Sequence, residues 1–220
     1  MDNMGEIGIS CFDVDGRINE YQPGGGGLAT VVTNSPTAKA AFVTDEKFLF
    51  ALAINGDPRA YAWCSQDERT VWTPTSLNSA GDLPINEVGL LMCGAKIKGG
   101  ALLWTTTGLY FNEFVGRPDI YGSERAGNNC GIIGRNAKVV FGSSAYWMGK
   151  KKFFSFRGYT QTLECDIEDY VFGNINEDYA HKVWAHHRPQ FSEVWFAYPH
   201  GSATECSHAA IFNYEKGYWN

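Results

Sequence analysis

The hydrophobic residues of this chain occur in short runs, separated by clusters of Gly, Asn, Asp and Ser. Runs of this length that are rich in branched and aromatic side chains predict β-strands. The connections between them are short and polar, as is typical of β-hairpins. The pattern is clearest between residues 95 and 156, where no window keeps the helical apolar spacing for long. Strands are predicted there at residues 101–105, 108–114, 139–142, 145–148 and 153–156.

The rest of the chain continues in the same style. Strands are predicted at residues 7–14, 28–32, 47–54, 60–64, 181–186, 193–198, 209–213 and 218–219. Residues 165–174 are predicted as a short helix, because Ile167, Tyr170 and Val171 have helical spacing and acidic residues occupy the first turn. Residues 65–89 and 115–130 are interpreted as long surface excursions suited to intersubunit contacts.

One strand type recurs at a regular interval. Central strands begin at residues 48, 102, 146 and 194, so successive starts lie 54, 44 and 48 residues apart. About four strands at such a period are typical of β-propeller blades, whereas a sandwich or jelly roll does not predict the recurrence. The predicted fold class is therefore all-β, a propeller-like array of about four four-stranded antiparallel units that can be part of a larger propeller. Residues 1–40 are assigned to an N-terminal strand and glycine-rich connection, and residues 41–220 to the blades.

Composition agrees with many short strands and tight turns, since aromatic residues reach 15% and the chain contains 25 glycines. The net charge of −6 argues against a general nucleic-acid coat, because phosphate binding needs a basic footprint. The negative charge does not argue against a channel through which DNA slides, since an acidic bore does not bind the duplex tightly. The four glycines at 24–27 are interpreted as a turn and not as a phosphate cradle, because no Gly-Lys-Ser/Thr follows.

The six cysteines are scattered without a CxxC pair, and the chain shows no signal peptide and no N-glycosylation acceptor. Buried reduced thiols are therefore expected rather than a disulfide framework. The N-terminus is polar and no apolar run reaches 18 residues, so neither a visible secretion signal nor a membrane anchor is expected.

Four segments of the chain resemble a known family. They are DEKFLFALAINGDPRAYAWCSQDERTVWTPTSLNSAGD, GGALLWTTTGLYFNEFVG, NNCGIIGRNAKVVFGSSAYWMGKKKFFSFRG and DYVFGNINEDYAHKVWAHHRPQFSEVWFAYP. They are similar to β-propeller proteins in the tails of short-tailed bacteriophages, which are called tail hub, nozzle, tail tubular or packaged-DNA-stabilisation proteins. The resemblance covers about residues 40–219.

The resemblance implies a structural virion protein. It implies that copies form a ring, typically six-fold, below the portal and adaptor in the virion tail, after assembly in the host cytoplasm. Viral double-stranded DNA would pass through the ring at ejection, and the ring would seal the packaged genome beforehand. Members of the family are usually longer than 220 residues, so the resemblance also implies further chain.

The candidate contact residues include the only dense basic cluster of the chain, Lys150, Lys151 and Lys152. Three adjacent lysines in a hairpin turn are usually only solvated, and the functional hypothesis is contact with DNA phosphates or an acidic neighbouring subunit. Trp72 and Arg117 are further candidate contacts, each in one of the two long excursions. Aromatic residues expected to fill the core between blades are Trp63, Trp104, Tyr110, Trp147, Trp184 and Trp195.

No catalytic residue, metal ligand or cofactor is predicted. His186 and His187 point to opposite faces of a strand and cannot ligate one ion together. The acids Asp166, Glu168, Asp169, Glu177 and Asp178 fit a helix start better than a glycosidase pair. The alternative function is a propeller that binds carbohydrate or hydrolyses glycosides. A host scaffold propeller ranks last, because the signature dipeptides of the common repeat families are missing.

Overall fold

The computed structural model describes residues 2–12, 14–24, 27–86 and 88–220. These residues form five four-stranded antiparallel sheets, in each of which the strand order follows the chain. Each sheet is thus a simple meander of hairpins, the architecture of a propeller blade. The all-β class and the four-stranded antiparallel units are confirmed, and the set of sheets is compatible with a propeller-like array of blades.

The chain divides into two compact units. The first comprises residues 1–105 and 109–125, and the second comprises residues 106–108 and 126–220. Three sheets lie wholly or mainly in the first unit. The first contains β1 (Asp2–Met4), β2 (Ile7–Cys11), β3 (Ile18–Tyr21) and β4 (Thr30–Val31), and the second contains β5 (Ala40–Val43), β6 (Leu49–Leu52), β7 (Ala60–Trp63) and β8 (Gly81–Pro84). The third contains β9 (Leu91–Ile97), β10 (Gly100–Thr105), β11 (Gly108–Gly116) and β12 (Ile120–Asn128), of which Gly108 and residues 126–128 are assigned to the second unit.

The second unit holds two sheets and a helix. Its strands are β13 (Lys138–Phe141), β14 (Ser144–Met148), β15 (Phe153–Phe156), β16 (Thr160–Leu163), β17 (Trp184–Arg188), β18 (Glu193–Tyr198), β19 (His208–Asn213) and β20 (Tyr218–Trp219). Helix α1 is Glu168–Asn174, close to the predicted helix. Short 3-10 helices lie at Ile54–Gly56 in the first unit and at Glu177–Lys182 and Pro189–Phe191 in the second.

Strand β6 shows why the apolar runs are continuous rather than alternating. Its residues are all buried, with Phe50 and Leu52 in one hydrophobic cluster and Leu49 and Ala51 in another. Side chains of a strand alternate between faces, so β6 has apolar neighbours on both faces of its sheet. The first cluster joins the second sheet to the third, and the other joins it to the first sheet.

Aromatic side chains pack the core of the second unit. Phe153 on β15 lies 5.1 Å from Phe196 on β18 and 4.4 Å from Trp219 on β20, measured between ring centroids. Phe172 of α1 packs on the same ring at 5.1 Å. These contacts join both sheets and the helix of this unit, and large rings bury much apolar area with little loss of side-chain entropy.

The predicted rhythm corresponds to one structural position. The four predicted central strands are β6, β10, β14 and β18, each the second strand of its sheet. The remaining sheet also has a second strand, β2, which begins at residue 7. The second strands of the other four sheets begin at residues 49, 100, 144 and 193. The count of about four units therefore becomes five, because β1 to β4 form a complete sheet where one strand and a connection are predicted.

Three local predictions need correction. The excursions 65–89 and 115–130 contain β8 and β12, which complete their sheets. Both strands were missed because they are rich in glycine and polar residues, which an outermost strand tolerates on its solvated side. The strand predicted at 181–186 begins only at Trp184, since residues 177–182 form a 3-10 helix. Glycines 25 and 26 of the four-glycine run lie outside the described residues.

Candidate functional site

The most distinctive surface feature is a groove in the second unit, formed where three turns meet. We call it the tri-lysine groove. It has a volume of about 430 Å³ and is lined by Thr106, Thr107, Asn129, Gly131, Lys150, Lys151, Lys152 and Phe154. The threonines belong to the connection between β10 and β11, the lysines connect β14 to β15, and Asn129 and Gly131 follow β12.

Two glycines allow these turns to approach so closely. A Cβ atom on Gly131 would lie 2.2 Å from the carbonyl oxygen of Thr106, and one on Gly149 would lie 2.9 Å from the carbonyl oxygen of Gly131. Backbone atoms cannot move aside as a flexible side chain can, so only glycine fits where two backbones touch. The glycines thus allow the turns that line the groove to meet.

Hydrogen bonds hold the walls in place. The Gly149 N–H donates to the carbonyl of Lys152 at 2.8 Å, which closes the lysine turn. The indole N–H of Trp147 donates to the carbonyl of Cys130 at 2.7 Å, between Asn129 and Gly131. Phe154 stacks on the Trp147 ring with 5.5 Å between centroids, so an aromatic pair underlies the groove. All three lysine side chains are exposed at its rim.

The carboxylates lie in an adjoining recess. Lys152 lines this recess together with residues 162–166, Glu168 and Asp169. Glu168 and Asp169 occupy the first turn of α1, where they favour the helix dipole, but Ile167 is the N-cap and no side chain caps the helix. The dipole part of the prediction therefore fits the structure, and the capping part does not.

The candidate contacts in the first unit differ from each other. Trp72 is only 8% exposed and packs in the cluster shared by the first two sheets, with its indole N–H donating to the Arg69 carbonyl at 2.7 Å. It is a core residue and not a contact, because the excursion folds back onto the sheets. Arg117 is exposed, and its guanidinium donates to the Leu77 carbonyl at 3.3 Å.

The six aromatic residues expected in the core have different environments. Trp63, Trp104, Tyr110 and Trp147 are buried. Trp184 is 43% exposed, so its assignment to the core is wrong; it is the first residue of β17, where the chain enters the sheet. Trp195 is half-buried beneath Arg188, whose guanidinium lies 4.8 Å from the ring centroid.

Among the residues that the structure describes, no group of three His, Cys, Asp or Glu side chains could hold a metal ion. His187 stacks on Phe141 with 3.7 Å between ring centroids, and its Nε2 atom lies 3.0 Å from the Tyr214 hydroxyl. Burial, followed by the neighbouring charge of His186, lowers the pKa of His187. None of the helices in the described ranges has both the length and the apolar character needed to cross a bilayer.

The sequence identified the lysines but missed the remainder of the groove. Thr106, Thr107 and Asn129 carry no signature of their own, and they join the site only because distant turns meet. The available signal was the pair of glycines: Gly131 precedes two isoleucines, and Gly149 lies between strand β14 and the lysines. A glycine in a turn can mark the close approach of two backbones, but the partner segment cannot be read from the sequence.

The comparisons add little to this geometry. No protein-family model matches the chain. No curated protein matches it by sequence. A crystal structure of human WBSCR16 is similar at 9% identity with a TM-score of 0.43, covering 88% of this chain and 66% of that one. The chain thus spans just under two thirds of that protein's length, and the likeness is too low to carry an argument about function.

Proposed function

We propose that this protein is a structural component of a short-tailed phage tail, a hub or nozzle ring below the portal and adaptor. Copies of the chain assemble as a ring, a hexamer by the family resemblance, and act without catalysis or a cofactor. The ring seals packaged double-stranded DNA and provides the conduit for its ejection. Its site of action is the virion tail, after assembly in the host cytoplasm.

The repeated meander is the observation that carries this proposal. Five consecutive four-stranded sheets place their second strands 42, 51, 44 and 49 residues apart, in the rhythm of a propeller. The resembling segments, which begin near residue 40, contain the second strand of every sheet from β6 to β18. The net charge of −6 is compatible with a bore that DNA passes without being gripped.

Electron microscopy of the purified full chain, and of virions that contain it, tests the proposal directly. We expect rings with an axial bore, located at a single vertex of the virion below the portal. A protein that stays monomeric at micromolar concentration and is missing from purified virions would rule the proposal out.

Carbohydrate binding is the second candidate, and the exposed side chain of Trp184 favours it. An indole face that is 43% exposed can stack on a sugar ring, as aromatic platforms do with apolar ligand faces. Glycan-array binding by the wild type, lost in Trp184→Ala and kept in Trp195→Ala, would favour this candidate over the tail protein. If the array shows no glycan binding, the tail protein remains the better-supported function.

A further inference from the structure

We propose that the tri-lysine groove is a binding site for a phosphate group. The charge of the groove is the first reason. The turn carries three exposed ammonium groups in a protein whose net charge is −6. In the part of the chain that the structure describes, the ion pairs involve other cations and none involves these three lysines. Their charge is therefore available to an external anion.

The shape of the groove is the second reason. A volume of about 430 Å³ lies within the range of small-ligand sites, and neutral polar groups line the groove together with the lysines. The Asn129 amide can donate hydrogen bonds, whereas ammonium groups supply point charges. Tetrahedral phosphate oxygens can accept from both kinds of donor at once.

The fixed geometry of the groove is the third reason. The lysine turn is closed by its own backbone hydrogen bond, and Trp147 anchors the opposite wall through Cys130. Phe154, which lines the groove, is 7% exposed and stacks on the Trp147 ring. A concavity that exists before binding requires little ordering of the chain, which favours the capture of a small ligand.

The acidic recess beside Lys152 limits what can bind. An anion that extended past Lys152 would meet the carboxylates of Asp166, Glu168 and Asp169. A segment with several carboxylates spread along it would be repelled there, whereas one phosphate concentrates its charge within the groove. The geometry therefore favours a compact phosphate group over an acidic protein surface.

The phosphate can belong to a nucleic-acid strand or to a free phosphorylated compound. Both sources present the same tetrahedral anion, and the groove recognises that group in either case. The inference depends on the groove alone and does not require the proposed role in a phage tail. The two ideas can therefore fail separately.

The test is titration of the isotope-labelled full chain with pyrophosphate, and separately with a DNA oligonucleotide, followed by NMR of the backbone amides. We expect saturable shifts at Gly131 and at residues 149–152. Lys150→Gln with Lys152→Gln should weaken pyrophosphate binding about five- to tenfold, since exposed charge pairs contribute modestly each. For the oligonucleotide, the same change should reduce the salt dependence of binding by about two charges.

The control is Lys98→Gln with Lys216→Gln. These lysines are exposed in other turns, and the control makes the same change in net charge, from −6 to −8. The control should bind as the wild type does. Oligonucleotide that competes with pyrophosphate identifies nucleic acid as the source, and pyrophosphate binding alone identifies a free phosphorylated compound.

Three results would overturn the proposal. One is shifts that stay linear or spread over the surface, which indicate non-specific charge screening. Another is a control variant that binds pyrophosphate as weakly as the groove variant does. The third is loss of self-assembly in the groove variant with unchanged pyrophosphate binding, which would assign the lysines to a protein contact. Circular dichroism of both variants establishes that the folded state is retained.

Discussion

Gly131 occupies a position where the backbones of two turns touch. An alanine Cβ there would lie 2.2 Å from the Thr106 carbonyl oxygen, 2.4 Å from its carbon and 2.6 Å from the Thr107 nitrogen. Overpacking against backbone lowers stability, so we expect Gly131→Ala to reduce the free energy of unfolding by about 1–3 kcal/mol. Urea denaturation measures the change.

Gly173 is the matched control in the same unit. It lies in helix α1, and a Cβ added there meets nothing within 4 Å. Alanine restricts the unfolded chain and favours the helix, so Gly173→Ala should raise the free energy of unfolding by about 0.5–1 kcal/mol. A Gly131→Ala variant as stable as Gly173→Ala would contradict the close approach of the two turns.

His187 should make stability depend on pH. Its pKa is lowered because burial disfavours the charged ring, so the unfolded chain binds more protons than the folded chain at mildly acidic pH. Stability is therefore lost as pH falls from about 6.5, the unfolded value, toward the lower folded pKa. We expect the Tm of the wild type to fall more steeply than that of His187→Gln between about pH 7 and pH 5.

His181→Gln is the control for this measurement, since it removes an exposed histidine from the same unit. In thermal melts across the pH range, the Tm of His181→Gln should vary with pH as the Tm of the wild type does. If His187→Gln also followed the wild type, protonation of His187 would not be coupled to unfolding.

At the scale of the element, β14 and β17 carry tryptophans in opposite environments. Trp147 on β14 is fully buried, stacks on Phe154 and donates an indole hydrogen bond. Trp184 begins β17 and is 43% exposed. Trp147→Ala should lower the free energy of unfolding by about 3–5 kcal/mol, and Trp184→Ala by less than about 1 kcal/mol. Chemical denaturation compares the two, and similar losses would contradict the assigned environments.

The turn between β19 and β20 depends on one side chain. Asn213 is 5% exposed; its Nδ2 donates to the Phe191 carbonyl at 3.0 Å, and its Oδ1 accepts from the Lys216 N–H at 2.9 Å. Asn213→Ala leaves these groups without their partner, so we expect a loss of about 1–3 kcal/mol in the free energy of unfolding. Asn174→Ala removes an exposed bond to the Tyr170 carbonyl and should lose less than about 0.5 kcal/mol.

At the scale of the whole molecule, all six cysteines are free thiols. Burial raises the pKa of Cys64 to about 12 and that of Cys165 to about 11, and only thiolates react readily with alkylating agents. Native protein at pH 8 should therefore be alkylated slowly at these two positions, and denatured protein at all six. Mass spectrometry counts the adducts, and fewer than six in denaturant without reductant would reveal a disulfide.

The strands show how far a pattern of single residues can predict structure. The segment 193–198 was predicted with its observed ends, because the run is apolar and the turns on both sides are polar. Strand β12 was missed because Gly122, Ser123 and Glu124 are exposed and give no apolar signal. Its place in the third sheet depends on pairing with β11, which is a property of two segments together.

The same limit applies to the candidate site. The three lysines were visible in the sequence as a charge cluster, but their groove needs Thr106 and Asn129, which lie at least 21 residues away along the chain. Trp72 gave the opposite result, since a tryptophan in a polar excursion looked exposed and is in fact buried. Burial of a side chain depends on which other segments pack against it, and the composition of its own segment does not contain that information.

The sequence by itself determined the all-β class, the four-stranded rhythm and the short helix, because each follows from local periodicity and turn residues. Only the tertiary structure decided that β1 to β4 complete a fifth sheet, that Trp72 is buried while Trp184 is exposed, and that three turns form the tri-lysine groove. The physical reason is that strand propensity is local, whereas strand pairing, burial and the meeting of turns depend on contacts between segments distant in the chain.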